Sequence, residues 1–213
     1  MSLRSQIEFA SSLQYAVRAT DAQCRQKSAR LRDGIKRGHM ALFDGYAAHL
    51  AASPPLDVEV RKLFGPHVIL VPAPGSARRN QGALWVPQRL CQAFAAKGLG
   101  ARVEALLERT ASVPKSAFAP RDQRPDAQKH YETIGVTGAG SVLSQRILIV
   151  DDIVTTGATL LASVSRLLDS FPNASVHAYA FARAISDGDI AKQHDPVRGT
   201  IRLKSTGRTW RQP

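Results

Sequence analysis

The chain is short of cysteine, of aromatic residues and of acid, and each shortage closes off a class of protein. Its two cysteines, Cys24 and Cys91, stand far apart, so neither a zinc ribbon nor a disulfide framework can be assembled from them, and both read as inert thiols. No apolar run approaches the roughly 20 residues of a membrane-spanning helix. The first residues place Arg4 and Glu8 among short apolar patches, without the apolar core of a signal peptide. The expectation is a cytoplasmic protein with no membrane association. A G-x-x-x-x-G-K-[ST] loop is missing too, which removes the P-loop nucleotide hydrolases.

What the chain does have is positive charge. A net charge of +12 and a pI near 10.4 call for anionic partners, either the phosphates of a small substrate or those of nucleic acid. Part of the excess is local: Arg18, Arg25, Lys27, Arg30, Arg32, Lys36 and Arg37 face only Asp21 and Asp33 over that stretch. This basic N-terminal patch reads either as a solvated helical face or as a contact for nucleic acid or another acidic partner. The lack of any aromatic between Asp21 and Met40 argues against a single-strand stacking platform. Ile7, Leu13 and Val17, then Leu31, Ile35, Met40, Leu42 and Phe43, recur at rough helical spacing before Pro54 and Pro55, so residues 1–57 are expected to form a helical basic cap or hood.

The most informative stretch is residues 146–160, R-I-L-I-V-D-D-I-V-T-T-G-A-T-L. Ile147 to Val150 form a short apolar strand, Asp151 and Asp152 stand at its C-terminal end, and Thr155, Thr156, Gly157, Ala158 and Thr159 open a helix. In an open α/β sheet the C-terminal ends of the strands face the ligand crevice. Carboxylates placed there suit the hydroxyls of a sugar or a hydrated Mg2+. Both acids can reach one ligand only if the backbone has begun to turn by Asp152, since strand side chains alternate faces. Free backbone amides at the helix start, threonine hydroxyls and a glycine that admits close approach make a phosphate cradle. Acids and cradle together point to a sugar phosphate.

A second apolar strand, 68–71, runs into Pro72, Ala73, Pro74, Gly75 and Ser76, with Arg78 and Arg79 next. Pro87 opens a helix whose Val86, Leu90 and Phe94 repeat at i, i+4 and i+8, and which ends at Gly98 and Gly100. Residues 101–109 alternate as one strand closed by Arg109 and Thr110. From 111 to about 141 no period is sustained, a length that signals a functional or disordered loop carrying Lys115, Arg121, Arg124 and Lys129. There His130 reads as a lid contact or, as a lone histidine in a polar loop more often is, as a solvated one. Leu160, Leu161, Val164, Leu167 and Leu168 give the next helix one apolar face, a strand follows at 176–182, and the basic tail offers an edge strand near 200–203. Alternating strands and helices specify an α/β fold with a mostly parallel sheet flanked by helices. The expected division is 1–57 cap, 58–190 core and 191–213 basic tail.

The run of four apolar residues, two acids and T-T-G-x-T resembles the phosphoribosyl pyrophosphate (PRPP) motif of the type I phosphoribosyltransferases. The order of core elements over residues 68–182 resembles the amidophosphoribosyltransferase-related branch of ComF/GntX type, although the N-terminal zinc-binding cysteine cluster of that branch is absent and its arginine-rich stretch matches only Arg78, Arg79, Asn80 and Gln81. The resemblance implies a Mg2+-dependent transferase of nucleotide metabolism that passes ribose 5-phosphate to a nitrogen nucleophile and releases pyrophosphate. It implies that Asp151 and Asp152 hold the ribose and, through ribose or water, the metal, while residues 155–159 hold the 5′-phosphate. Ala73, Pro74, Gly75, Arg78, Arg79 and Arg109 would hold the pyrophosphate, and Lys115 and Arg124 would act from a lid. PRPP and an unidentified base or amine are the implied partners, with room for a homodimer. The other reading is a non-catalytic PRPP-sensing or DNA-binding accessory protein of ComF type.

Overall fold

The computed structural model describes residues 2–16, 18–114, 125–138, 146–185 and 192–213. In chain order the elements are β1 (Gln6–Tyr15), α1 (Ala22–Lys36), α2 (Met40–Ala51), a 3-10 turn (Pro55–Asp57), α3 (Val58–Arg61), β2 (Val68–Pro72), α4 (Val86–Ala96), β3 (Arg102–Val103), β4 (Leu107–Arg109), α5 (Ala127–Glu132), β5 (Ile134–Val136), β6 (Arg146–Val154), α6 (Ala158–Ser170), β7 (Ser175–Ala184), β8 (His194–Leu203) and β9 (Thr209–Gln212).

Local chemistry sets the helix ends. Asp21 caps α1 by accepting from the Cys24 amide at 2.6 Å, and the Pro54-Pro55 pair follows the end of α2. Pro87 lies in the first turn of α4, where its missing N–H costs nothing, and Val86, Leu90 and Phe94 are all buried as their spacing predicts. Arg89 of α4 donates to the Gly38 carbonyl at 3.0 Å and so fixes the α1–α2 turn.

The main sheet runs β3-β2-β6-β7-β1-β8-β9. β3, β2, β6, β7 and β1 are mutually parallel, and β8 and β9 continue the sheet in antiparallel register. The fold is therefore α/β, a mostly parallel sheet flanked by helices. Alternation along β6 divides the core: Ile147 and Ile149 pack with Leu160, Leu161, Val164 and Leu167 of α6, whereas Leu148 and Val150 pack with Ile35, Phe43, Leu50, Leu90 and Phe94 of α1, α2 and α4. On that second face Phe181 stands edge-on to Phe43 and Tyr46 at 5.5 and 5.2 Å between ring centres. The helices of residues 22–51 thus cover one face of the sheet as a cap.

Four expectations need correction. Residues 6–15 form a strand inside the main sheet rather than a helix: Ile7 and Phe9 face the α6 side and Ala10 the other core, and an irregularity between Ser11 and Leu13 shifts the alternation, so that the odd-numbered Leu13 and Tyr15 join Ala10 in that other core. That break obscures the period-2 signal. Residues 101–109 are two strands, because β3 ends after pairing with β2 and β4 joins β5 in a separate two-stranded sheet. The expected loop at 111–141 contains α5 and β5, held by the Asp126 cap on the Lys129 amide at 2.8 Å and by the β4 ladder. Lastly, the tail is a β8–β9 hairpin in which β9, and not 200–203, supplies the edge.

Candidate functional site

β2 and β6 end side by side, Pro72 opposite Val150, and the Ala73 amide donates to the Val150 carbonyl at 2.9 Å. The loop after β2 therefore begins at the level where Asp151 and Asp152 stand. β6 does not turn at Asp152: it stays paired with β7 as far as Val154, so the two acids leave on opposite faces. Asp152 lies on the cap side. Its Oδ2 accepts from Lys36 Nζ of α1 at 2.7 Å and its Oδ1 from the Ile153 amide at 2.8 Å. Asp151 Oδ1 accepts from the Asp152 amide at 2.8 Å. Burial first, and the neighbouring Asp152 charge second, hold the Asp151 carboxyl well above the ordinary range, to about 8, with Lys36 pulling the other way. Burial opposes the Lys36 ammonium, yet Asp152 beside it raises its pKa on balance.

Beyond Val154, Thr155 and Thr156 are exposed, and Gly157 takes the left-handed conformation, φ 87°, ψ 7°, directly before α6. Two constraints meet at this glycine. An L side chain would be strained at that φ, and a Cβ there would sit 2.5 to 2.8 Å from three side-chain atoms of Ile201 in β8. Ala158 is buried and Thr159 half-buried. A cleft of about 710 Å³ lies between Thr155-Thr156 and the β8–β9 hairpin, lined also by Lys204, Arg208, Trp210 and Arg211. Arg211 Nε donates to the Thr155 carbonyl at 3.0 Å, and burial lowers the Arg211 pKa to about 10.

On the other side of β6, a cleft of about 850 Å³ is lined by Pro74, Gly75, Arg78, Arg79, Trp85 and Arg109 among others. Ala73 and Pro74 are buried and Gly75 is exposed. Trp85 Nε1 donates to the Ala73 carbonyl at 2.8 Å, and Arg79 lies over the Trp85 ring at 4.9 Å. Arg78, also exposed, donates to the Thr110 carbonyl. Arg109 is only 5% exposed. Its Nε donates to the Gly75 carbonyl at 2.8 Å and its terminal nitrogens donate to Thr133 Oγ1 and His130 Nδ1, both at 2.7 Å. Burial lowers its pKa to about 10, with the Asp151 charge opposing. Its guanidinium is thus committed to the loop and to α5.

The structure gathers Ala73, Pro74, Gly75, Arg78, Arg79 and Arg109 on one side of Asp151-Asp152, and Thr155, Thr156, Gly157, Ala158 and Thr159 on the other. Lys115, Arg121 and Arg124 lie outside the described residues. His130, expected to be solvated, is buried beneath Arg109 because the Asp126-capped helix α5 turns it inward. Burial, and then the Arg109 charge, lower its pKa to about 4. Sequence reasoning missed two contributors. Lys36 carries no signal that separates it from its basic neighbours, whereas the mixture of Lys204, Arg208, Trp210 and Arg211 in the tail is a cation-and-aromatic signal that could have marked the hairpin. For a hard cation such as Mg2+ the donor chemistry fits: Asp151 and Asp152 offer only oxygen, and since Asp152 already accepts from Lys36, a metal there would depend largely on ligand and water oxygens.

Residues 105–208 match the family model of the phosphoribosyl transferase domain. That range includes Arg109, both acids and the threonine turn, and excludes the loop after β2. No curated protein matches the chain. Two solved structures are similar over part of it. One is an alanine mutant of HPRT made to study an invariant aspartic acid, at 14% identity over 69% of this chain and 79% of that one, with a TM-score of 0.36. The other is a hypoxanthine phosphoribosyltransferase from Staphylococcus aureus, at 10% identity over 67% and 74%, with a TM-score of 0.34. Likenesses this distant say nothing about substrate.

Proposed function

We propose that the chain is a phosphoribosyltransferase of type I kind that binds PRPP at the C-terminal end of β6 and transfers its ribose 5-phosphate to a nitrogen nucleophile. The observation that carries this reading is the succession, at one strand end, of Asp151, Asp152 and a threonine turn closed by left-handed Gly157 before α6. The match of residues 105–208 to the phosphoribosyl transferase domain supports it independently of geometry.

In this reading the 5′-phosphate lies against the free amides of the first turn of α6 and the hydroxyls of Thr155, Thr156 and Thr159, where the helix dipole favours negative charge. Asp151 accepts hydrogen bonds from the ribose hydroxyls, while Asp152, on the opposite face, holds Lys36 of the cap beside the strand end. The pyrophosphate takes the other side of the acids, among the backbone of residues 73–75 and the exposed Arg78 and Arg79. Arg109 serves as a positioning residue that fixes the Gly75 carbonyl. The acceptor nitrogen forms its bond to ribose C1 as the bond from C1 to the pyrophosphate oxygen breaks, and the electron pair leaves with the pyrophosphate. Fixed cations stabilise the departing charge more than the ground state, which is the source of the rate. Bound Mg2+ would neutralise part of the pyrophosphate charge. The tail hairpin and the helices of residues 22–51 frame the site in the manner of a hood.

Pyrophosphate release from PRPP and Mg2+, measured against a panel of nucleobases and amines, tests the reading. With one acceptor, turnover should appear, and Asp152→Asn should lower kcat/KM at least tenfold, a loss of about 1.4 kcal/mol of transition-state stabilisation. PRPP binding without release for any acceptor would overturn the assignment as an enzyme and favour a PRPP-binding accessory role.

A further inference from the structure

We propose that His49, Asp57 and His194 form a binding site for one divalent transition-metal ion of the Zn2+ class, which joins the helical cap to the sheet through β8. The three side chains come from distant parts of the chain: the last turn of α2, the end of the 3-10 turn before α3, and the first residue of β8. His49 Nε2 lies 3.0 Å from Asp57 Oδ2 and His194 Nε2 lies 3.0 Å from Asp57 Oδ1. One ligating atom from each falls within 4.8 Å of the others. Ligand atoms around a tetrahedral zinc, at bond lengths near 2.0 to 2.2 Å, stand about 3.3 Å apart, close to the two 3.0 Å separations seen here and within the 4.8 Å spread of the group.

The donor set selects the ion. Two imidazole nitrogens and one carboxylate suit borderline ions such as Zn2+, whereas Mg2+ takes oxygen ligands. The outer contacts fit as well. The Asp57 carboxylate is wholly buried, and the Tyr46 hydroxyl donates to its Oδ1 at 2.7 Å, the kind of partner that orients a ligating carboxylate. The His49 and His194 side chains keep 43% and 32% exposure, which gives an ion access and leaves a side open for a water ligand. Two N–H···O bonds to one carboxylate would explain the distances alone. Tyr46 is already a donor to that carboxylate, however, and the second imidazole arrives from 137 residues further along the chain. An ion bound here adds its binding free energy to that of folding by tying α2 to β8. The site is separate from Asp151 and Asp152 and stands whether or not the chain transfers phosphoribosyl groups.

The test is titration of the full chain, stripped with chelator, with ZnCl2 in excess Mg2+, followed by calorimetry and thermal melting, with Co2+ as a spectroscopic substitute. The expected result is one Zn2+ per chain, a melting temperature that rises until that ratio is reached, and visible Co2+ absorption. His49→Gln and His194→Gln, both on partly exposed side chains, should each weaken Zn2+ binding more than tenfold, while His67→Gln leaves it unchanged. Absence of stoichiometric uptake by the unmodified chain, or uptake that persists in the His49→Gln/His194→Gln double variant, would overturn the proposal.

Discussion

Arg109 and His130 show how a residue with no direct claim on a ligand can still set the site. Arg109 spends its guanidinium on the Gly75 carbonyl, Thr133 and His130, and so ties the loop after β2 to α5. The histidine beneath must stay neutral to accept from it, and its pKa falls from 6.5 to about 4. Above pH 6.5 the folded and unfolded chains both hold this imidazole neutral, and nothing is lost. As the pH drops toward 4 the unfolded chain takes up a proton that the folded one refuses, and stability falls by about 3 kcal/mol. Urea denaturation across this range should show the decline, and His130→Gln, which keeps an acceptor for Arg109, should flatten it. An equal decline in both proteins would remove His130 from the account.

At the scale of elements, the junction of β6 with α6 is fixed by β8. Gly157 is required by its positive φ and by Ile201, whose side chain fills the space a Cβ would need. Gly157→Ala should therefore destabilise the fold by roughly 1 to 3 kcal/mol, read as a lower denaturation midpoint, and it should disturb the threonine turn. A loss below about 0.5 kcal/mol would show that β8 yields there. The glycine's place in the turn that opens α6 was legible in the sequence, but its contact with Ile201, far along the chain in β8, was not. The same division holds elsewhere. Apolar runs at 68–71 and 147–150 marked buried parallel strands because both faces are covered, and the spacing of Leu160, Leu161, Val164 and Leu167 marked α6. β1 was misread because an irregularity in mid-strand breaks its alternation, and β6 proved longer than its apolar run because pairing with β7 holds it extended through both acids. Lys36 was illegible as a site residue because only the docking of α1 on the sheet brings it to Asp152.

Across the whole molecule, strands from the beginning, middle and end of the chain share one sheet, and the site is assembled from all three. The loop after β2 and the turn after β6 come from the parallel half, Lys36 from the cap, and Lys204, Arg208 and Arg211 from the terminal hairpin. The net charge of +12 gains meaning in this setting, since cations flank both clefts of a site read as binding a substrate with phosphate at both ends. Among the described residues no helix is long and apolar enough to cross a membrane. Binding of PRPP at the end of β6 is tested by calorimetric titration of PRPP with Mg2+ into the unmodified chain and into Asp151→Asn/Asp152→Asn. The account predicts saturable one-to-one binding that weakens at higher salt and falls at least tenfold, about 1.4 kcal/mol, in the double variant, with the double variant still folded by circular dichroism. No saturable binding by the unmodified chain, or equal affinity in the two proteins, would contradict it.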